Sequence, residues 1–164
     1  MKQVNNTETA IFAGGCFWGV EDRMRNVPGV ISAESGYIGG HLENPTYEQV
    51  KSGTTGHAEA VRVTFDPRLV SYEWLTKYFF EIHDPTQIDR QGADVGPQYR
   101  SEIFYLSAEQ RQIAERIIAY LVKRGCRVVT RLTPASEFYM AEEYHQRHAE
   151  KTGEAPCHSY VKRF

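Results

Sequence analysis

Thr9-Ala10-Ile11-Phe12-Ala13-Gly14-Gly15-Cys16-Phe17-Trp18-Gly19 is the stretch on which the reading of this chain turns. Thr9 to Ala13 is short and apolar, and the glycine pair ends it, as at a buried strand stopping in a tight turn. Phe17 to Arg25 has helical character, closed by Asn26, Pro28 and Gly29. Cys16 therefore falls at a strand-to-helix junction. A thiolate there faces unpaired N–H groups and the positive end of the helix dipole, which favour the ionised form. Position alone leaves a buried, inert cysteine equally open, because Cys outside disulfides is among the most buried residue types.

Outward from this junction, strands and helices alternate. Val30 to Tyr37 reads as a strand, Tyr47 to Lys51 as a short helix, and Ala58 to Phe65 as a strand ending at Asp66-Pro67. Ser71 to His83 carries Leu75, Tyr78, Phe79 and Ile82 at helical spacing behind a Ser71 cap. Asp84 to Tyr99, rich in Gly, Pro, Asp and Gln, is expected as a long loop, a feature usually functional in compact domains. Ile103 to Leu106 is a strand. Ser107 to Lys123 is the clearest helix, with Gln110 three residues after its cap and Gly125 after its end. Arg127 to Leu132 is expected as a strand and Ala141 to Ala149 as a helix. The alternation argues for an α/β or α+β sandwich. One domain is expected over residues 1–164, with an irregular tail over 150–164.

With 164 residues, 41% hydrophobic and 24% charged, the chain can bury a proper core. A net charge of -2 gives no nucleic-acid footprint. No segment has the length and apolarity of a membrane span, and Met1 to Thr9 does not resemble a signal peptide, so a cytoplasmic protein is expected. Cys16, Cys126 and Cys157 are too sparse for a disulfide framework, and the absence of a Cys-x-x-Cys pair argues against structural zinc.

Gly15-Cys16-Phe17-Trp18-Gly19 resembles the signature of the A-class peptide methionine sulfoxide reductases. Ser35-Gly36-Tyr37-Ile38-Gly39-Gly40 is similar to that family's second motif. Pro45 to Val50 and Gly56-His57-Ala58-Glu59-Ala60-Val61 resemble the third. His83-Asp84-Pro85-Thr86 and Gly92 to Ser101 complete the series in the family's order. The resemblance runs from about Ala10 to His148.

That resemblance implies reduction of the S epimer of methionine sulfoxide, free and in proteins, with no metal or organic cofactor. It implies a two-layer α/β sandwich with a ferredoxin-like core, a mixed sheet flanked by helices. Cys16 matches the nucleophile and Glu59 the acid. A carboxyl partly desolvated beside an apolar pocket is held protonated near neutral pH. Tyr47 and Tyr99 match the phenols that bind the sulfoxide oxygen, and Asp94 a carboxylate that orders the site. Phe17 and Trp18 wall the methyl pocket.

After reduction, a sulfenic acid on Cys16 condenses readily with a second thiol. Cys157, in a tail bearing Gly and Pro, is the expected resolving residue, and thioredoxin the expected reductant. Cys126, between a helix and the apolar Val128-Val129, reads as structural. Many family members end in a glycine-rich tail with two cysteines, whereas Gly153 to His158 carries one. Direct reduction by a small thiol is the alternative. A monomer is expected, with no nucleic-acid or membrane partner.

Without the motif series, each of these residues has a plainer reading. Glu59 on an alternating strand is ordinarily solvated, Asp94 forms a turn, and most tyrosines pack. His57 reads as a general base on its own, although in the family pattern it is mainly structural, and His145 and His148, at i, i+3, read as a solvated helix face rather than a metal pair. Two rivals remain to be separated: a cysteine hydrolase using Cys16, His57 and Asp94 or Glu59, and a non-catalytic domain binding Met-rich segments.

Overall fold

The computed structural model describes residues 6–153 and 158–164. Strand β1 (Glu8–Gly14) leads through Gly15 and Cys16 into helix α1 (Phe17–Arg25). Next come β2 (Val30–Ile38), the short α2 (Tyr47–Lys51), β3 (Ala58–Phe65) and α3 (Tyr72–Glu81). A hairpin of β4 (Arg90–Gln91) and β5 (Asp94–Val95) and a 3-10 turn (Pro97–Tyr99) precede β6 (Ser101–Tyr105). The chain closes with α4 (Ala108–Lys123), β7 (Arg131–Pro134), β8 (Tyr139–Met140), a 3-10 turn (Glu143–His145) and α5 (His148–Thr152).

The main sheet has the order β7-β6-β1-β3-β2-β8. Its centre, β6-β1-β3-β2, is antiparallel throughout and carries α1 and α3 as the crossovers, which is the ferredoxin-like β-α-β-β-α-β arrangement. Parallel β7 on β6 makes the sheet mixed, and β8 extends the other edge. Among the described residues no helix is long and apolar enough to cross a membrane.

Strand alternation sorts the core onto the two faces of the sheet. Ala10, Phe12, Val61, Val63 and Phe65 meet Val20 and Met24 of α1, Leu75 and Phe79 of α3, and Ala114, Ile117 and Leu121 of α4. Ile11, Ala13, Ala58, Ala60 and Phe104 form a thinner cluster on the opposite face. Each fully buried phenylalanine in this set contributes about 1.5–3 kcal/mol.

Three expectations shift. The residues expected as a helix from Ala141 to Ala149 instead hold a 3-10 turn and then α5, separated by Arg147 at φ +54°. Gln146 explains this break. Its side-chain oxygen accepts from the Ser35 amide (2.9 Å) and its amide group donates to the Ser35 carbonyl (2.9 Å), so the side chain imitates a paired strand. The strand expected over Arg127 to Leu132 begins only at Arg131. Upstream, Val129 N–H is spent on the Pro85 carbonyl rather than on a ladder. The long loop from Asp84 to Tyr99 contains the β4–β5 hairpin, which delivers Asp94. The tail over 158–164 is irregular in backbone but tied down, with Val161 N–H on the Glu81 carbonyl and Arg163 N–H on the Glu81 carboxylate.

Candidate active site

The turn between β1 and α1 is built by close approach. A Cβ on Gly15, at φ +96°, would stand 2.7 Å from Gln91 Cβ, so only glycine fits. Half-buried Cys16 takes the N-cap position of α1 with φ -56° and ψ 122°. The residue thereby stands at the helix end where N–H groups lack intrahelical partners. The first of these, Phe17 N–H, donates to Glu59 Oε1 at 3.1 Å.

Glu59 is only 2% exposed, contrary to the plain reading of a solvated strand residue. It pairs across the sheet with Tyr37 and shares the helix-bearing face with Val61, Val63 and Phe65. The β1–β3 ladder ends at Phe12 and Val61, and the chain then rises into α1 over Glu59. The carboxyl is consequently roofed by the turn that carries Cys16.

Tyr47 begins α2, whose capping box joins Thr46 and Gln49. Burial, and then the charges of Glu59 and Cys16, push its phenol up to about 12. The Tyr99 phenol is also pushed up, by burial first and then by Glu59, Tyr47, Asp94 and Cys16. Both therefore remain O–H donors at neutral pH. These mutual influences mark Cys16, Glu59, Tyr47, Tyr99 and Asp94 as one cluster, assembled from the starts of α1 and α2, strand β3, the hairpin and the 3-10 turn before β6. Arg100 fixes that last turn: it donates to the Pro97 carbonyl (2.8 Å) and the Gly56 carbonyl (2.9 Å) and pairs with Glu102 at 2.6 Å.

The peptide methionine sulfoxide reductase family model matches residues 8–164. The chain belongs to this family. A peptide methionine sulfoxide reductase MsrA of Methanothermobacter thermautotrophicus is 54% identical, over 96% of this chain and 95% of its own. The Geobacter sulfurreducens MsrA is 49% identical over 96% and 99%. Methionine sulfoxide reductase A of Corynebacterium diphtheriae superposes with a TM-score of 0.83 at 37% identity, covering 99% of this chain and 84% of that one. Mxr1 of Saccharomyces cerevisiae in reduced form gives 0.89 at 31%, covering 99% and 96%. The protein is thus an oxidoreductase of the class that acts on peptide methionine (S)-S-oxide.

The aromatic wall of this reductase is larger than Phe17 and Trp18. Phe17 is buried and stands 5.7 Å from Tyr37 and 6.5 Å from Tyr47, ring to ring. Trp18 donates its indole N–H to His145 Nδ1 at 3.0 Å. His145, fully buried, lies 4.3 Å from the Tyr47 ring and 5.1 Å from Phe17. His148 stacks flat on Trp18 at 3.6 Å. The expected solvated histidine face is therefore wrong: the segment is no regular helix, and both rings turn onto Trp18 instead. Burial pushes the His145 pKa down, and with Nδ1 accepting, the neutral ring carries its proton on Nε2.

Glu142 is a residue that sequence reasoning missed. Its Oε1 accepts from the Tyr37 hydroxyl (2.7 Å) and its Oε2 from Tyr47 N–H (2.9 Å). Burial raises its pKa, but the Tyr47 amide and the other donors outweigh this and hold the carboxyl below its usual range. Nothing in the local sequence signals it, since its partners lie 95 and 105 residues away.

His57 is structural, as read. Its Nδ1 accepts from Gly40 N–H (3.0 Å) and its Nε2 donates to the Leu42 carbonyl (2.6 Å). With both nitrogens engaged it offers no base to Cys16, which removes the hydrolase triad. Cys126 is half-buried and packs against the main core. Cys157 lies outside the described residues.

Proposed function

We propose that Cys16 attacks the sulfoxide sulfur while Glu59 delivers a proton to the oxygen. Breakdown of the adduct releases methionine as the thioether and leaves the oxygen on Cys16 as a sulfenic acid. Tyr47 and Tyr99 donate to the sulfoxide oxygen, Asp94 orders the cluster, and Phe17 with Trp18 bounds the methyl group. Cys157 then attacks the sulfenic sulfur, forming a disulfide and expelling water, and a thioredoxin dithiol reduces that disulfide.

The observation that carries this reading is the hydrogen bond from Phe17 N–H to buried Glu59 Oε1, which sets an acid one residue from the nucleophile. That bond holds one carboxyl oxygen at the helix terminus beside the nucleophile, so the acid is fixed in place where the sulfoxide oxygen must be protonated. Mxr1 of yeast has also been solved in complex with Trx2, which supports a thioredoxin as reductant here. No step needs a second copy, so a monomer working in the reducing cytoplasm is the proposed form, on free and protein-bound methionine sulfoxide.

Single-turnover methionine formation from resolved epimers tests the scheme. Cys16→Ser should abolish it for the S epimer, and Glu59→Gln should slow it by roughly 10²–10⁴-fold, the worth of a positioned acid. Wild-type rates in either variant would remove the assigned role. With thioredoxin, thioredoxin reductase and NADPH, Cys157→Ser should form one methionine and stop, whereas Cys126→Ser should cycle. The opposite pattern would exchange the two thiols' roles.

A further inference from the structure

We propose that His158 is the positioning residue for the resolving step, holding the chain beside Cys157 against the turn that carries Cys16. This rests on the reading of Cys157 as the resolving thiol.

His158 is 5% exposed although it belongs to an irregular tail. Its Nε2–H donates to the Gly14 carbonyl at 2.7 Å, two residues before the nucleophile. The ring occupies a slot that exists because Gly19 has no side chain: a Cβ there would meet His158 Nδ1 at 2.0 Å. Gly15 forms the other side of the slot, its Cβ position 3.4 Å from His158 Nε2. The His158 carbonyl is gripped as well, accepting from Arg23 Nη2 (2.9 Å) and Nε (3.3 Å) one turn further along α1. Ring and main chain of one residue are thus fixed to the two elements that flank Cys16.

The chemical consequence follows from covalent reach. Cys157 is one peptide bond from His158, so whatever fixes His158 limits the volume the second thiol can search. In the resolving step the Cys157 sulfur forms a bond to the Cys16 sulfur. The S–O bond of the sulfenic acid breaks, and the hydroxyl leaves as water with the Cys157 proton. Anchoring His158 raises the fraction of time in which the second thiol can attack, without touching the substrate.

A buried histidine that merely packs would, when removed, lower stability and disturb both chemical steps together. The positioning role separates them. The fully reduced chain is mixed with methionine sulfoxide in the absence of reductant and quenched over time. Methionine formed, thiols remaining and the dimedone adduct of Cys16 are then measured. His158→Ala should form methionine at the wild-type rate, while loss of the second thiol slows by roughly tenfold to a hundredfold, the cost of ångström-scale misplacement, and adduct accumulates. His158→Gln, whose amide N–H can reach the same carbonyl, should recover most of the rate. Gly19→Ala should reproduce the defect by displacing the ring, although alanine is otherwise favoured in a helix. The double variant Gly19→Ala/His158→Ala should be no slower than His158→Ala. Wild-type thiol loss in both His158→Ala and Gly19→Ala, or equal slowing of both steps, overturns the proposal. Cys157→Ser separates this from failure of the underlying reading: if that variant still loses two thiols per methionine, the resolving role itself leaves Cys157. One thiol lost, with His158→Ala unaffected, defeats only the positioning role.

Discussion

Acid should weaken this protein through its buried histidines, His83 above all. His83 is 5% exposed, and its Nδ1–H donates to the Phe79 carbonyl at 2.6 Å. Its Nε2 therefore accepts from the Ser101 hydroxyl (2.7 Å), and Ser101 in turn accepts from Thr130 (2.7 Å). The neutral ring is satisfied at both nitrogens; a protonated ring would face the serine proton. Burial, above all, pushes its pKa down from 6.5 to about 3. The unfolded chain takes up the proton near the ordinary value and the folded chain does not, so stability falls as pH drops between those two values. The slope is about 1.4 kcal/mol per pH unit, which integrates to about 3 kcal/mol between pH 7 and pH 4. Urea unfolding of wild type and His83→Gln across that range is the assay. The variant should start lower at pH 7, having lost a packed ring 4.0 Å from Phe79, and should then fall less steeply by about one proton. Parallel curves would refute the reasoning. The site feels this directly, because a Cβ on Gly14 would lie only 3.2 Å from the His83 ring.

Removing the phenol in Tyr37→Phe takes one donor from Glu142 while leaving the Tyr47 amide on it; stability should drop by about 1 kcal/mol, with a higher KM for methionine sulfoxide as Tyr47 loosens, read by urea titration and steady-state kinetics. Arg100→Met leaves Glu102 buried and uncompensated, which should cost about 3–5 kcal/mol; thermal melts should show Arg100→Met/Glu102→Leu regaining part of it. In Trp18→Phe the His145 Nδ1 acceptor is left dry, and kcat/KM should fall by roughly tenfold, the equivalent of one lost buried hydrogen bond, with the rate of disulfide formation unchanged.

The parts of this molecule legible in its sequence are those governed by local rules. The Ser71 and Ser107 caps accept from Trp74 and Gln110 N–H as their spacing implies, and Gly125 follows α4 at φ +92°. The junction at Cys16 was readable because two glycines separate a strand pattern from a helical one. What was not readable depends on pairings across the fold. Gln110 reaches back not to its cap but to Leu106 N–H. Alternation correctly assigns Glu59 a face of β3; that the face is buried depends on where β1 stops pairing. His145 could not be found by helical spacing, because Gln146 pins the segment to Ser35 and prevents the helix.

One device recurs among those long-range ties and decides how the central variant must be read. Glu21, Glu59, Glu81 and Glu142 each accept a main-chain N–H from a distant part of the chain: Arg147 at 2.7 Å, Phe17 at 3.1 Å, Arg163 at 3.1 Å and Tyr47 at 2.9 Å. All four glutamates serve architecture, and only Glu59 does so at the nucleophile's own helix terminus. Glu59→Ala would cut the tie and the acid together and could not separate them. Glu59→Gln keeps an oxygen for Phe17 N–H and removes only the transferable proton. If the tie were the whole contribution, Glu59→Gln should keep the wild-type single-turnover rate and Glu59→Ala should lose it. If the acid dominates, both should be slow while only the alanine variant is destabilised, by about 1–3 kcal/mol for the stranded amide. Glu21→Gln supplies the reference, since it alters the same kind of tie away from the sulfur and should leave the first step near its wild-type rate.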